Sequence, residues 1–388
     1  MKTLNLNMTF FKQLFYLSIL GTALFAPLFG VGKAIAQPTF IGDETCRDCH
    51  TQVYESYRQS GHPYKLQKIE GKPPVYPSET SPGVPSPPHG LNWSDISYVI
   101  GGFGWKARFM DKEGYILTGP DDRQYNLPNR HLGTDAHWVG YDKKKGQRKP
   151  YTCGACHTTG WTPTGAQGPH QENLPGIHGT WSQPGVTCEA CHGPASYHVR
   201  KPSQFKLTTE ERCGDCHKRG DATQIDAKDG LIKHHEQYED LLASPHQMLK
   251  CSSCHEPHSS VIYGNGKSDS KGLKSIKESC LLCHKEQTVK LNGSAHVNEC
   301  TSCHMPRIGK SAVAIKHESV SGAVSEGDIR THIFRIDTNK DWDMFTDDGN
   351  FVRIDDSGNA YITLDRSCLS CHTDKALEWA HENSRSVH

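Results

Sequence analysis

The stretch GVTCEACHGP at residues 185–194 carries the element that decides the fold, a Cys-x-x-Cys-His string made of Cys188, Cys191 and His192. The string occurs eight times in the 388-residue chain and accounts for all 16 cysteines, so none is left for another use. In chain order, strings one to eight are Cys46-Cys49-His50, Cys153-Cys156-His157, Cys188-Cys191-His192, Cys213-Cys216-His217, Cys251-Cys254-His255, Cys280-Cys283-His284, Cys300-Cys303-His304 and Cys368-Cys371-His372.

Each string predicts covalent attachment of one c-type haem. Two thiols three positions apart reach the two vinyl groups on one porphyrin edge, and the histidine that follows can bind the iron axially. Zinc sites need cysteine pairs grouped in fours, or paired with distant histidines. Neither zinc nor disulfides requires a histidine directly after every second cysteine. We therefore expect eight haems c, held by the sixteen cysteines, with these proximal iron ligands: His50, His157, His192, His217, His255, His284, His304 and His372.

The N-terminus has the pattern of a secretory signal. Lys2 and Lys12 accompany an apolar stretch at 14–31, and Ala34-Ile35-Ala36 is an A-x-A cleavage site. We expect cleavage after residue 36, with a retained membrane anchor as the alternative because the apolar stretch is long. Haem attachment takes place after export, so we expect a periplasmic, extracellular or cell-surface protein without a transmembrane segment once the signal is removed.

The composition predicts an unusual fold class. Mean hydropathy is −0.65 and only 35% of residues are hydrophobic. Eight haems leave about 44 residues for each, too few for an ordinary core around every one. We therefore expect a mostly irregular chain with short α-helices and small β-hairpins, wrapped around a stack of eight haems that supplies much of the apolar interior.

The formal net charge is zero, with 43 basic and 43 acidic residues. Loss of the signal would remove Lys2, Lys12 and Lys33, and haem propionates would add negative charge. The mature protein should therefore be acidic, which argues against nucleic acid as a partner.

Haem strings, proline content and apolar patterning divide the chain into five predicted segments. Strings two to seven are crowded together, whereas strings one and eight are flanked by haem-poor gaps. Both gaps should hold small β elements. The segments are a signal peptide (1–36), a haem 1 unit (37–70), a Pro-rich connector with a β-rich haem-poor segment (71–150), a six-haem core (151–310), and a β-hairpin segment with the haem 8 unit (311–388).

Local patterns predict individual elements. Residues 96–118 favour strands, with a hairpin turn at Asp111–Gly114, and 351–364 repeat that pattern with a turn at 355–358. Short helices are expected at 46–58, 208–217 and 231–243.

The chain resembles the multihaem cytochromes c, a family that includes the nitrifiers' tetrahaem electron carrier and, more distantly, octahaem hydroxylamine oxidoreductase and tetrathionate reductase. The resemblance covers essentially the whole mature chain and implies multihaem architecture without fixing one function. No Cys-x-x-Cys-Lys string occurs, so the lysine-ligated haem of the nitrite reductase pattern is absent. The resemblance is carried by Asp43-Glu-Thr-Cys46, Gly154-Ala-Cys156-His157-Thr-Thr-Gly160-Trp161, Cys188-Glu-Ala-Cys191-His192-Gly-Pro194, Cys254-His255-Glu-Pro-His258 and Cys303-His304-Met-Pro306.

Sixteen of the 24 histidines lie outside the strings and can supply the second axial ligand of each iron. His258 follows His255 too closely to cap the same haem, so we expect it to reach a neighbouring one. The eighth ligand stays open, with His137 and His131 as first candidates followed by His170, His317 and His381, and His234 is the alternative to His235. Motif context assigns seven distal ligands: His62, His198, His235, His246, His258, His296 and His332.

Two functions compete. Iron held by two histidines reorganises little on reduction, which favours an electron-transfer protein that relays electrons along closely spaced, mainly bis-His haems. Its partners would be quinol-linked or other cytochromes in anaerobic respiration, and it could form a homo-oligomer or filament. The alternative is an octahaem oxidoreductase in which one open haem acts on a small nitrogen or sulfur compound. No catalytic residue can be assigned at this level.

Overall fold

A single helical turn carries most of the Cys-x-x-Cys-His strings. In five strings the histidine N–H donates to the carbonyl of the first cysteine at 2.8–2.9 Å, for example His50 to Cys46 and His217 to Cys213. Positions i, i+3 and i+4 of a helix share one face. Both thiols and the imidazole of a string therefore point to the same side.

The computed structural model describes residues 37–78, 81–142, 148–234, 236–260, 275–276, 279–285, 289–291, 294–296 and 300–387. Within these ranges, no helix is long and apolar enough to cross a bilayer. The α-helices are α1 (Glu44–Arg47), α2 (Thr51–Arg58), α3 (Gly154–His157), α4 (Cys188–His192), α5 (Ser196–Arg200), α6 (Cys213–Cys216), α7 (Gln237–Leu242), α8 (Cys300–His304) and α9 (Leu377–Ser384). Strings five and six form 3-10 turns at Cys251–Ser253 and Cys280–Leu282, and string eight forms a π-helical turn at Asp365–Leu369.

A five-stranded antiparallel meander fills the first haem-poor gap. Its strands, in spatial and chain order, are β1 (Leu66–Lys68), β2 (Ile96–Gly101), β3 (Lys106–Asp111), β4 (Gly119–Asn126) and β5 (His137–Tyr141). The predicted turn at Asp111–Gly114 is confirmed, since the Gly114 N–H donates to the Asp111 carbonyl at 3.0 Å and Gly114 has φ +83°. Ala107 and Phe109 on β3 are fully buried and belong to one apolar cluster.

A four-stranded sheet joins two strands of the second gap to two strands that lie between strings four and five, in the order β10 (Ala227–Lys228), β11 (Leu231–Lys233), β14 (Gly309–Ser319) and β15 (Gly322–Ile329). A register shift between Gly309 and Ala314 marks a bulge in β14. The Asp328 carboxylate fixes this bulge by accepting N–H bonds from Ser311, Ala312 and Val313 at 2.5–3.0 Å. Shorter pairs complete the sheets: β6 (Thr158–Thr159) with β9 (Gln183–Pro184), β7 (Thr162–Pro163) with β8 (Gly179–Thr180), and β12 (Val289–Leu291) with β13 (Ser294–His296).

Side-chain packing is divided among separate small clusters. Two of them lie on the two faces of the β1–β5 sheet, one around Tyr98 and Met110 and the other around Val99 and Phe109. Two more pack near the C-terminus, one around Ile333 and one around Leu369. The predicted class of short helices and small sheets is therefore confirmed, and the described chain builds several small apolar clusters.

Some local predictions were wrong. The helix expected at 231–243 begins only at Gln237, because Leu231–Lys233 is strand β11. Asp229 and Gly230 both have positive φ and form the two-residue turn between β10 and β11, an Asp-Gly hairpin signal that overrides the helical pattern. The helix expected at 208–217 is limited to α6.

Two other predicted elements have mixed outcomes. The helix expected at 46–58 is present as α1 and α2 with a break between them. Residues 351–364 form isolated bridges rather than regular strands, although the turn at 355–358 is present with the Gly358 N–H bonded to the Asp355 carbonyl at 2.9 Å. The predicted signal peptide at 1–36 lies outside the described residues, and the five-segment division stays a prediction. Strand β14 crosses the predicted boundary between residues 310 and 311.

Replacement of Asp328 by Ala should destabilise the protein. The carboxylate is 3% exposed and accepts three backbone N–H groups, so its loss leaves buried donors without an acceptor. We expect a loss of about 2–4 kcal/mol in the free energy of unfolding, measured as a lower urea midpoint of the haem-loaded protein. Asp341→Ala, at an exposed carboxylate, is the control. Equal midpoints for both variants would contradict the role given to Asp328.

Candidate functional site

Histidine rings lie in facing pairs at several points along the chain. Five pairs have ring centroids 5.9–6.4 Å apart. Each pair joins one string histidine to one of the predicted distal histidines. The pairs are His50 with His198, His217 with His62, His192 with His258, His255 with His332, and His284 with His246.

This spacing fits one metal ion between each pair of rings. An imidazole nitrogen binds a transition metal at about 2 Å, and the ring centre lies about 1 Å further away, so two opposed ligands have centroids about 6 Å apart. His246 and His332 support the fit, since each has a buried Nδ1 without a hydrogen-bond partner in the described part of the chain. A buried polar atom without a partner is costly. The residues present therefore suit haem iron, and ligation itself stays a prediction.

Backbone carbonyls orient several of these rings. His192 Nδ1 lies 2.8 Å from the Thr208 carbonyl oxygen, and His198 Nδ1 lies 2.8 Å from that of Phe205. An Nδ1–H that donates to a carbonyl fixes the tautomer and leaves Nε2 for a metal. Sequence reasoning did not find these carbonyl partners, because they come from loops distant from each histidine.

His157 and His304 have the same kind of partner. His157 Nδ1 lies 3.0 Å from the Lys65 carbonyl oxygen, and His304 Nδ1 lies 2.9 Å from that of Phe334. Phe334 has φ +61°, a conformation that costs energy in a bulky residue. The surrounding structure therefore holds this carbonyl towards His304.

The sixteen cysteines are all free thiols, as haem attachment requires. Thiols from different strings lie in direct contact at four points. Cys213 and Cys251, for example, lie with a Glu211 carboxylate oxygen inside one group whose atoms are all within 4.8 Å of one another. The four contacts are Cys46 with Cys188, Cys156 with Cys216, Cys213 with Cys251, and Cys280 with Cys300.

Three further pairs of thiols from different strings lie close enough to affect each other's pKa, and they complete the connections between the strings. Strings seven and eight also share a hydrogen bond, from the Ser367 hydroxyl to the Cys303 carbonyl at 3.2 Å. Together the contacts join all eight strings into one connected series, in which string four touches strings two, three and five. The additional pairs are Cys191 with Cys213, Cys254 with Cys280, and Cys303 with Cys371.

Strand β3 carries two buried cations towards string two. Lys106 and Arg108 are two residues apart, so they project from the same face of the sheet. Arg108 donates to Gln124 Oε1 at 2.9 Å and stacks 3.7 Å from the Tyr141 ring centre. Neither partner is a carboxylate, and burial lowers the pKa of Arg108. Burial also lowers the pKa of Lys106 to about 7.

The positive charges of Lys106 and Arg108 act on both His157 and His234, with Lys65 acting also on His157 and Arg219 also on His234. Burial, assisted by nearby positive charge, lowers the pKa of His157 to about 4. Burial and its three cationic neighbours lower the pKa of His234 to about 3, and His157 lies close enough to act on it as well. We call Lys106, Arg108, Arg219 and His234 the cationic cluster. It is a place where a small anion would be stabilised.

The remaining predicted ligands have different placements. His137 Nδ1 lies 2.9 Å from the Asp135 carbonyl oxygen and its Nε2 lies 3.2 Å from Asn126 Nδ2, so the sheet uses both ring nitrogens. That arrangement disagrees with a ligand role for His137. His131 lies near Arg307, whose charge, after burial, contributes to the lowered pKa of His131. His372 packs against Trp379, with centroids 4.9 Å apart.

Two predicted distal ligands cannot be placed. His235 and the side chain of His296 lie outside the described residues. Sequence reasoning missed the cationic cluster, although alternate basic residues in a predicted strand, at 106 and 108, were a usable signal.

His198→Ala should convert one iron from low to high spin. The His198 ring stands 6.4 Å from that of His50, so its removal leaves the iron of string one with an open axial position. Electron paramagnetic resonance of the ferric protein measures the change. His317→Ala is the control, because His317 pairs with Glu326 at 2.6 Å rather than with another histidine. An unchanged low-spin signal in His198→Ala would contradict the pairing.

Comparisons with known proteins agree on the kind of protein. A family model described as cytochrome c554 and c-prime matches residues 125–193, which contain strings two and three. The dissimilatory sulfite reductase MccA of Wolinella succinogenes is 22% identical over 394 aligned positions, covering 77% of this chain. The chain spans only 55% of the length of that relative.

Two solved structures share the fold. The octaheme sulfite reductase MccA of Wolinella succinogenes, in form II, matches with a TM-score of 0.58 and 17% identity, over 89% of this chain and 69% of the other. The outer cell wall cytochrome OcwA matches with a TM-score of 0.51 and 16% identity, over 88% of this chain and 86% of the other.

Proposed function

This chain is a multihaem cytochrome c, and we propose that it passes electrons along a continuous series of eight covalently attached haems. The observation that carries the proposal is a connected series of thiol pairs from different strings, four of them in direct contact and three within electrostatic range. Thiols that touch bring the porphyrin edges bonded to them close together. Neighbouring redox centres would then exchange electrons without a mobile carrier.

Bound haem supplies a one-electron iron centre. The residues that face the haem determine whether the iron only transfers electrons or also binds a substrate. Where two imidazoles face each other, as His50 and His198 do, both axial positions are filled and substrate is excluded. Carbonyls such as that of Thr208 hold the rings in place, so little movement accompanies a change of charge. These features favour electron transfer, with other redox proteins as partners after export.

String four is the branch point of the series. Its Cys216 contacts Cys156 of string two, and its Cys213 contacts Cys251 of string five. Both thiols of string four also lie near Cys191 of string three. Replacing Cys213 and Cys216 by Ala would remove its haem and divide the series into three parts, which are string two, strings one and three, and strings five to eight. We expect electron equilibration after flash reduction to split into separate kinetic phases.

The matched control replaces Cys368 and Cys371 by Ala, which removes the haem of terminal string eight. Equilibration among the other seven haems should keep its rate. Mass spectrometry verifies that each variant carries seven haems, and the intact protein eight. If the string-four variant carries seven haems and its electrons still equilibrate in a single kinetic phase, the proposed path of electrons through string four is wrong.

A second candidate function is favoured by the surroundings of string two. His157 has no ring partner at 6 Å spacing in the described ranges, and the cationic cluster lies beside it. Arg219 lies 3.9–4.0 Å from the carboxylates of Glu236 and Asp226, whereas Lys106 and Arg108 form no ion pair with a carboxylate of the described residues. Half-buried cations of this kind favour an anionic ligand. We propose that a small sulfur oxyanion such as sulfite is the substrate of an oxidoreductase reaction at this haem. The activity of the relative, a sulfite reductase, supports that class.

In this candidate function the cluster residues have separate roles. Arg108 is held rigidly by Gln124 and Tyr141, so its guanidinium is preorganised to donate two hydrogen bonds to an oxyanion. Lys106 supplies a positive charge that depends on pH. His234, held neutral by its surroundings, can receive or donate a proton at the bound anion.

Arg108→Gln should weaken sulfite binding. Loss of charge-assisted hydrogen bonds costs about 1.5–3 kcal/mol, or roughly 10- to 100-fold in affinity. Titration of the haem absorbance with sulfite measures it, and Lys112→Gln, at an exposed turn of the same hairpin, is the control. If sulfite leaves the spectrum of the unaltered protein unchanged, this second function is wrong.

Sulfite affinity should also depend on pH. The folded-state pKa of Lys106 is about 7, lowered by burial, so the side chain is charged below pH 7 and neutral above it. An anion binds the charged form better, and affinity should fall by up to about tenfold between pH 6 and pH 8. The same titration in Lys106→Met should lose that dependence. An equal pH dependence in both proteins would exclude Lys106 as its source.

A further inference from the structure

One histidine of the facing pairs has an acidic partner. His258 Nδ1 lies 2.7 Å from Glu256 Oε1. Other ring nitrogens in the pairs, including those of His192 and His198, meet neutral backbone carbonyls. The rings of His192 and His258 therefore have different hydrogen-bond partners, although their planes are nearly parallel, with an angle of 4° between them and centroids 6.2 Å apart.

Local structure fixes the Glu256 carboxylate against this ring. The same oxygen, Oε1, also lies 3.2 Å from the backbone nitrogen of His258 and accepts its N–H. The Glu256 N–H donates to the Ser275 carbonyl at 3.0 Å, and the Ser259 N–H donates to the Glu256 carbonyl at 3.1 Å. Pro257 lies between the two residues and restricts the backbone. The carboxylate is thus held on the ring by a tight turn.

Solvent only partly screens this contact, because the side chains of Glu256 and His258 are 22% and 34% exposed. A carboxylate accepts a hydrogen bond about twice as strongly as a neutral carbonyl. It draws the Nδ1 proton towards itself, which raises the electron density on Nε2 and the basicity of the ring as a ligand. A more electron-rich ligand stabilises the oxidised form of the metal that it holds.

We propose that Glu256 is a positioning residue that lowers the reduction potential of the iron held between His192 and His258. The inference rests on the proposed function, because it takes these two histidines as the ligands of one haem. String three, which supplies His192, lies between strings one and four in the connected series. Electrons that pass between those strings therefore meet a site that Glu256 makes harder to reduce.

Glu256→Gln tests this directly. The amide removes the negative charge and accepts the Nδ1–H more weakly, so one haem should move to a higher potential while the other haems keep theirs. Spectroelectrochemical titration, with electron paramagnetic resonance to follow each low-spin signal, measures the shift. Glu256→Asp keeps the charge and should restore part of the original potential.

The chain offers a matched control in Glu326→Gln. Glu326 lies 2.6 Å from the His317 ring, so the contact is equivalent, but His317 has not been assigned to any iron. No haem should change potential in this variant. A shift of similar size in Glu326→Gln would overturn the inference, because it would mean that loss of any nearby carboxylate has the same effect.

Failure of the inference can be told apart from failure of the proposed function. Glu256→Gln with eight haems, eight low-spin irons and no change in potential would overturn the role of Glu256 alone. His258→Ala should turn one iron high-spin. If it leaves all irons low-spin, His258 is not a ligand, and the assignment of ligands on which the proposed function depends is wrong.

Discussion

The separation of about 6 Å between facing imidazoles is the constraint on which the rest of the structure depends. A ring pair at that distance has room for one metal ion between the two rings. His192 belongs to string three whereas His258 follows string five, and His255 and His332 also come from distant parts of the chain. Iron between such pairs would cross-link remote segments, so that cofactor and fold stabilise each other.

The small apolar clusters follow from the same constraint. Apolar clusters such as those around Ile333 and Val99 are small and separate from one another. The cysteines of the strings are exposed or half-buried. Porphyrin surface would cover these thiols and supply the apolar contacts that side chains do not. A chain built this way needs only short helical turns to present each cysteine pair with its histidine.

The β1–β5 sheet places basic side chains beside string two. Alternation along β3 buries Phe109 on one side and directs Lys106 and Arg108 to the other, beside His157. A conducting series of bis-His centres has no need for buried cations. Their presence next to string two distinguishes it from the paired strings and supports the anion site proposed there.

The sequence by itself determined the cysteine strings and predicted a haem-based interior with short elements around it, because the spacing needed for covalent attachment is local and can be read from the sequence. Five distal candidates, among them His62 and His198, were also recognisable from their local motifs. Only the tertiary structure decided which ring faces which, that His137 serves the sheet, that Asp229-Gly230 turns 231–233 into a strand, and that Glu256 reaches His258. Those outcomes depend on contacts between distant residues and on side-chain direction, which spacing along the chain does not encode.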